Sequence, residues 1–291
     1  MAENITNKEV TGIKIVRVEA WEQHYWLRHG FSRRTGGVSA VYGGDSLNLG
    51  WTKEDNPADV TENRRRFVSA VAGEMTGKDG FALVNVRQIH SAITRVIREE
   101  DGPRSGRLQT PEGKAVVEGD GLMTSLPGVM LGVGTADCVP VLVADVKKRA
   151  VAAFHAGWRG TVARIVELGI AKMTQEYDSQ AEDLIAAIGP SIGTCCYAVG
   201  EEVRTAFSSQ FDYADELFVS DRKASPSIRV DLWKANQRQL LTAGVEPSKI
   251  TLIGECTACS RDEQGRPRYF SHRAERGITG RMLNVVGMVP E

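Results

Sequence analysis

Three residues in this chain carry side chains that commonly bind metal ions. Cys138 lies between two short apolar runs, and His90 and His155 end other apolar runs beside small or polar residues. Imidazole and thiolate are good zinc ligands, and three protein ligands with an open fourth position are typical of catalytic zinc. The set predicts a metal centre. The three residues are far apart in the sequence, so the alternative remains open that Cys138 is a small buried apolar residue and the histidines are ordinary hydrogen-bonded polar groups.

Two aspartates could support such a centre. Asp137 precedes the cysteine, and Asp120 begins the turn GDGLM. Either carboxylate could accept a histidine ring N–H and so fix its tautomer. Both are also common as turn or capping residues.

Two arginines lie beside glycines and could bind an anion. Arg159, in HAGWRG, stands just before a predicted helix, where free backbone amides and the helix dipole favour a phosphate. Arg34 lies beside Gly36 and Gly37 in SRRTGGVS, and its guanidinium, like that of Arg159, could bind a phosphate through two hydrogen bonds. Arginines beside glycines also occur in ordinary solvated turns, so neither segment alone identifies a site.

The other four cysteines form two short groups. Cys195 and Cys196 are adjacent, and Cys256 and Cys259 have the C-x2-C spacing of half a zinc knuckle. Four thiolates could hold a structural zinc, but adjacent cysteines are expected to be strained donors to one tetrahedral ion. We therefore favour buried, unreactive thiols.

Composition limits the classes of partner and compartment. The 291 residues include 36 basic and 37 acidic ones, so no overall field favours nucleic acid or a membrane surface. No apolar run approaches the roughly 20 residues of a membrane helix, and the first residues lack the apolar core of a secretory signal. With an odd number of cysteines, five, these features predict a cytoplasmic protein with reduced thiols.

The predicted elements alternate along the chain without an obvious linker. This pattern predicts one domain over residues 1–291, of the α/β or α+β class, with at least one mixed sheet. The strand Ile89–Val96 would place Gln88 and His90 on one face by period-two alternation. The main predicted elements are strands Ile13–Val18, His24–Phe31 and Leu184–Ile188, and helices Thr161–Tyr177 and Asp231–Ala243.

A series of motifs resembles a known family from about residue 28 to residue 287. They are SRRTGGVS, SLNLG, QIH, GDGLMT, TADCVPVLVAD, AAFHAGWRGT, AIGPSIGTCCYAVG, VDLW, CT, YFSHR and TGRM. Their order is similar to that of the YfiH or multicopper polyphenol oxidase (laccase-like) family, also called the peptidoglycan editing factor or purine nucleoside phosphorylase family. The resemblance implies an α+β fold, a single-domain α/β/β/α sandwich with mixed β-sheets. It also implies a pocket holding zinc on His90, Cys138 and His155, with Arg34 at the same pocket.

Two positions depart from the family pattern. Ala198 replaces a common glutamate, so no acid-base role is expected there. His272 stands where the family often has tyrosine and is either a further metal or substrate contact or a surface substitution.

The resemblance implies two activities on purine nucleosides. One is phosphorolysis of adenosine, inosine or methylthioadenosine with phosphate as the second substrate. Arg34 and Arg159 would then be the cationic groups, with Trp158 and Asn48 as further binding residues. The other is adenosine deamination by a metal-activated water. The catalytic residues expected for the enzyme as a whole are Cys138, His90, Arg34 and Asp137. Asp137 would be the assisting carboxylate, although the H-x-E and P-C-x-x-C motifs of nucleobase deaminases are absent.

Three alternatives remain open. A multicopper oxidase needs more ligands than the chain's five histidines supply, but a single-copper polyphenol oxidase is conceivable. Cys138 could instead be the nucleophile of an amidohydrolase that edits peptidoglycan precursors. The same pocket could also bind a nucleotide-like ligand without turnover. The sequence does not indicate the oligomeric state.

Overall fold

The computed structural model describes residues 5–10, 12–73, 80–220 and 228–290. The strands within these residues are, in chain order, β1 (Ile5–Val10), β2 (Ile13–Val18), β3 (Leu27–Ser32), β4 (Thr35–Ser39), β5 (Ala82–Asn85), β6 (Thr94–Val96), β7 (Gly121–Thr124), β8 (Val129–Thr135), β9 (Val139–Asp145), β10 (Ala150–Ala156), β11 (Leu184–Ile188), β12 (Ala198–Val199), β13 (Phe218–Ser220), β14 (Ile228–Val230), β15 (Ile250–Leu252) and β16 (Met282–Met288). The α-helices are α1 (Pro57–Ala72), α2 (Trp158–Val162), α3 (Ile165–Tyr177), α4 (Glu201–Ser208) and α5 (Leu232–Thr242).

Two six-stranded sheets form the centre of the molecule. Their strand orders are β1-β2-β3-β16-β8-β5 and β15-β11-β9-β10-β7-β6, and a small third sheet has the order β12-β14-β13. The pairs β5/β8, β6/β7 and β11/β15 are parallel, whereas the other pairs in the two large sheets are antiparallel. The mixed sheets expected from the sequence are therefore confirmed.

The large sheets pack face to face, and helices cover their outer faces. The apolar residues of each strand are divided between the two faces of its sheet, because successive side chains point to opposite faces. Val16 and Val286 of the first sheet share a buried core with Leu142 of the second. On the outer face of the first sheet, Phe67 of α1 packs with Ile15. Helices α3 and α5 cover the outer face of the second sheet. The layers follow the expected order α/β/β/α, and the predicted fold class is confirmed.

The loop that carries His90 differs from its predicted strand. Only Thr94–Val96 forms a strand there, and His90 has φ = 60°. The carboxylate of Asp120 accepts the amides of Ile89, His90 and Ser91, so these groups need no partner strand. The prediction that period-two alternation places Gln88 and His90 on one strand face was wrong.

Two other element boundaries also differ from prediction. The strand predicted to start at His24 begins at Leu27. The helix predicted over Thr161–Tyr177 is divided into α2 and α3 at Arg164, which has φ = 58°. The Arg164 amide and the Gln239 side chain both donate to the Thr161 carbonyl, so the first helix ends in a tight turn. None of the helices in the described part of the chain has the length and apolar composition needed to cross a membrane.

Candidate metal centre and ligand cavity

The antiparallel pairing of β9 and β10 brings Cys138 close to His155. His155 is paired with Pro140, and Ala156 with Val139. Cys138 directly precedes β9, so the register places it beside the end of β10. Gly157 allows close approach, since a Cβ atom there would lie 3.0 Å from the Cys138 sulfur.

Asp120 joins the two histidine segments. Its Oδ1 lies 2.8 Å from Nδ1 of His155, and the same oxygen accepts the backbone amide of His90 at 3.0 Å. Burial of Asp120 opposes its ionisation, but hydrogen bonds from His155 and Ser91 outweigh burial and lower its pKa to about 2. The carboxylate thus fixes Nδ1 of His155 and leaves Nε2 as the free ring nitrogen. The expectation that an aspartate in this region orients a histidine is met by Asp120.

The three predicted ligands converge. One ligand atom each from His90, Cys138 and His155 lies within 4.8 Å of the others. The Cys138 sulfur is 3.9 Å from Nε2 of His90, and the two imidazole rings meet edge to face with centroids 4.9 Å apart. This arrangement suits one metal ion bound by three protein ligands with an open position.

Without a metal, the thiol and imidazole favour a charged pair. Burial raises the pKa of Cys138, but the neighbouring His155 and His90 outweigh it and bring the pKa below its usual value. Burial lowers the pKa of His155, whereas Cys138 and Asp120 raise it more strongly. Cys138 is therefore held readily as the thiolate, which is the form that binds metal.

The donor set opens into a cavity of about 880 Å³. Two aromatic residues, Trp51 and Tyr197, contribute to its wall. Among the described residues that line it, six are basic and two, Glu54 and Asp137, are acidic. The local field therefore favours an anion although the whole chain is nearly neutral. The basic residues are Lys53, Arg64, Arg87, Lys114, Arg273 and Arg281.

Comparison with known proteins assigns the family. The family model described as multi-copper polyphenol oxidoreductase laccase matches residues 28–289. The chain belongs to this family. The resemblance noted from the sequence motifs is thus confirmed.

Relatives of this laccase-family chain have names that refer to nucleosides. Purine nucleoside phosphorylase YlmD of Geobacillus stearothermophilus is 35% identical over 277 residues, which cover 91% of this chain and 95% of that protein. Adenosine deaminase RL5, from an unknown prokaryotic organism, is 36% identical over 205 residues, covering 70% and 76%. The crystal structure of Bacillus licheniformis YfiH superposes with a TM-score of 0.82 at 28% identity, covering 98% of this chain and 99% of that one.

Arg34 lies outside the residues that line the cavity of this laccase-family chain. Its Nη2 is 2.8 Å from the Glu275 carboxylate and donates to the carbonyl of Tyr42 at 2.8 Å. The guanidinium also lies over the ring of Phe270, with 4.8 Å to the ring centroid. These contacts hold Arg34 within the protein.

Asn48 is also placed behind the cavity wall. Its amide nitrogen donates to Asp55 and to the carbonyl of Gly50, and its oxygen accepts the amides of Gly50 and Arg281. Since Gly50 and Arg281 line the cavity, Asn48 supports two segments of the wall. Its side chain is fully buried.

Trp158 and Arg159 stack on each other at the start of α2. The Arg159 guanidinium lies 4.3 Å from the centroid of the Trp158 ring, and neither residue lines the cavity. Arg159 is nevertheless close enough to Tyr197 to affect its titration, together with Arg273.

Asp137 lines the cavity beside Cys138 but is occupied by internal hydrogen bonds. Its Oδ1 accepts the Thr257 hydroxyl and its Oδ2 accepts the Arg273 amide, both at 2.7 Å. Its backbone has φ = 94°, in the left-handed region. Asp137 therefore joins its own segment of the wall to that of Arg273 and to the loop of Thr257 behind it.

Several lining residues were not predicted. Trp51, Arg64, Tyr197 and Arg281 have no sequence signal beyond the motifs SLNLG, CCYAVG and TGRM that contain or flank three of them. Long-range folding brings them to the cavity. His272, for which a ligand contact and a surface position were both considered, is exposed and lines the cavity.

Proposed function

We propose that this protein is a zinc-dependent purine nucleoside phosphorylase. The observation that carries the proposal is the convergence of His90, Cys138 and His155 at a cavity with an excess of basic residues. A nucleoside and inorganic phosphate are a suitable substrate pair, because the basic wall complements the anion and the aromatic wall can contact the base. The names of the relatives support the same substrate class.

The donor set fits zinc. His90, Cys138 and His155 would hold the ion, and Asp120 would keep the His155 ring in the required orientation. When bound, zinc supplies Lewis-acid polarisation of an oxygen at the open position. Copper is the alternative metal for the same His₂Cys set.

We assign phosphate binding first to Arg273 and Arg281. The Arg273 backbone amide is fixed by Asp137, and its guanidinium lies 5.2 Å from the centroid of the Tyr197 ring. The Arg281 amide is fixed by Asn48. Both arginines line the cavity, whereas Arg34 and Arg159 do not. We expect Arg34 and Asn48 to act by positioning the wall.

Product analysis tests the proposal. Purified protein is incubated with adenosine, with and without phosphate, and adenine, ribose-1-phosphate and inosine are separated. We expect adenine and ribose-1-phosphate to form only when phosphate is present. We also expect turnover to be lost in each of the variants His90→Ala, Cys138→Ala and His155→Ala. Turnover that persists in all three variants would exclude this site.

Adenosine deamination is the second candidate function. An open metal position can activate water, and the relative RL5 is named an adenosine deaminase. Inosine formed without phosphate would support it. If neither product forms, rapid alkylation of Cys138 together with amide cleavage would favour the cysteine hydrolase, and stoichiometric copper with phenol oxidation would favour the single-copper oxidase.

A further inference from the structure

The four remaining cysteines lie on two loops that leave neighbouring strands at the same sheet edge. Strands β11 and β15 are parallel, so the segments that follow them emerge together. A bridge between Ser191 and Cys256 continues this pairing beyond the strands. The first loop carries Cys195 and Cys196, and the second carries Cys256 and Cys259.

The four sulfur atoms form a compact group. All lie within 4.8 Å of one another, and those of Cys195 and Cys259 are 3.5 Å apart. In a tetrahedral zinc tetrathiolate with Zn–S bonds of about 2.3 Å, the sulfurs are about 3.8 Å apart. The observed group therefore needs only a small adjustment to surround one ion.

The adjacent cysteines point to a common centre because their loop makes a tight turn. The amides of Cys196 and Tyr197 both donate to the carbonyl of Gly193 at 3.0 Å. The tight turn relieves the strain that we expected for adjacent cysteines binding one ion. The interpretation of these cysteines as buried thiols was wrong for Cys195 and Cys259, which are exposed.

The surroundings of the Cys256 sulfur suit a thiolate. The Gly193 amide donates to the Cys256 sulfur at 3.3 Å, and the amides of Ala258 and Cys259 are directed to the same atom. Such N–H···S contacts stabilise negative sulfur. Arg229 donates to the carbonyl of Cys195 at 2.6 Å, and Arg261 donates to that of Ala258 at 3.2 Å. These guanidinium groups place positive charge beside the cluster.

We propose that Cys195, Cys196, Cys256 and Cys259 bind one structural zinc ion, separate from the His90, Cys138 and His155 centre. Four thiolate ligands leave no open position, so the site is closed and structural. Zn²⁺ replaces the thiol protons, which pass to solvent. No electron transfer is involved.

The zinc would link two loops that support the ligand cavity. Ile192 donates its amide to the carbonyl of Asp137, and Thr257 donates its hydroxyl to the Asp137 carboxylate. Tyr197 follows the cysteine pair directly and lines the cavity. The closed site therefore positions a wall of the cavity without touching a ligand in it.

Zinc stoichiometry tests the proposal in the full-length protein. Protein is purified without oxygen, supplied with Zn²⁺, desalted and analysed for metal. The double variant Cys195→Ser/Cys259→Ser should bind about one zinc ion fewer than the wild type. The variant Ser260→Ala, on the same loop, should bind as much zinc as the wild type. Equal zinc in the wild type and the double variant overturns the proposal.

Two further measurements separate the sites and guard against misfolding. X-ray absorption of the His90→Ala/His155→Ala variant should show zinc with four sulfur neighbours at about 2.3 Å. Cys259→His keeps four ligands and should retain this zinc where Cys259→Ser loses it. Mixed nitrogen and oxygen coordination in the histidine variant, or a Cys195–Cys259 disulfide in freshly reduced, zinc-supplied protein, would refute the closed site. Because these readouts do not use nucleoside turnover, they stand or fall separately from the proposed function.

Discussion

Asp120 has two connected effects at the scale of single residues. Its carboxylate orients His155 and also accepts three consecutive amides from the loop that carries His90. The two histidines therefore depend on one buried anion for their relative position. Supporting groups of this kind influence metal affinity strongly although they do not touch the ion.

Asp120→Asn should weaken metal binding. The amide keeps the size of the carboxylate but loses its charge and one acceptor, so we expect affinity for zinc to fall by about 10–100-fold. Competition with a chromophoric chelator measures the change. Ser91→Ala is the matched control, since it removes one hydrogen bond to Asp120 and keeps the carboxylate. An affinity that is lowered equally by both variants would contradict the assigned role.

Asn48→Ala should affect stability before it affects substrate binding. The change leaves the amides of Gly50 and Arg281 without a partner and removes one hydrogen bond from the buried Asp55 carboxylate, which keeps the Ser39 hydroxyl. Each unpaired group costs about 1–3 kcal/mol, so the free energy of unfolding should fall by at least about 1 kcal/mol. Urea denaturation measures it. A raised KM for phosphate at unchanged stability would instead favour the direct contact predicted from the sequence.

At the scale of elements, a buried histidine joins two strands of the first sheet. His29 of β3 accepts the backbone amide of Val18, the last residue of β2, at 2.8 Å. Burial, with a smaller effect of Arg17, Lys8 and Arg28, lowers the pKa of His29 to about 3. Folding therefore requires the neutral imidazole.

The protonation of His29 should make the protein less stable in acid. The unfolded histidine gains a proton below its usual pKa of 6.5, whereas the folded one stays neutral down to about 3. The unfolded state therefore binds more protons in this window, and stability falls with decreasing pH by up to about 1.4 kcal/mol per unit from this residue. Urea titrations at several pH values should show that the free energy of unfolding depends less steeply on pH in His29→Gln than in the wild type. Parallel curves for the two proteins would contradict this origin.

Sequence patterns predicted elements well where local and tertiary preferences agree. Strands Ile13–Val18 and Leu184–Ile188 have the predicted bounds, since the apolar residues of both segments are buried in sheets. The strand expected around His90 failed because a distant side chain, Asp120, supplies the hydrogen bonds that a strand would otherwise supply.

The candidate site, too, could be predicted from the sequence only in part. The convergence of the three metal ligands was accessible from residue chemistry and from the family resemblance. The cavity arginines were not, because Arg273 and Arg281 reach the wall through contacts with Asp137 and Asn48 that are far away in sequence. Glycines beside Arg34 and Arg159 resembled anion-binding loops, but a glycine pattern does not tell which way an arginine points.

At the scale of the whole molecule, the last strand holds the first sheet together. β16 lies between β3 and β8 and pairs with both, although these strands come from much earlier segments. All seven residues of β16 are buried. The first sheet thus stays incomplete until β16 has been placed.

Truncation after Gly280 should abolish folding. The deletion removes β16 and exposes the backbone edges of two central strands as well as the core between the sheets. We expect aggregation or a loss of the cooperative unfolding transition, measured by near-ultraviolet circular dichroism during thermal denaturation. Truncation after Val289 retains β16 and serves as the control. A cooperative transition in the shorter protein would disprove a central role of this strand.

The amides bound by Asp120 have a consequence for exchange with solvent. Residues 89–91 form a loop with exposed side chains at Ile89 and His90, where amide hydrogens ordinarily exchange quickly. Since a fully buried carboxylate accepts all three, their deuterium uptake should be as slow as that of neighbouring strands. In Asp120→Asn this protection should disappear while β9 and β10 stay protected. A surface loop of this protein should therefore behave in hydrogen exchange as part of its interior.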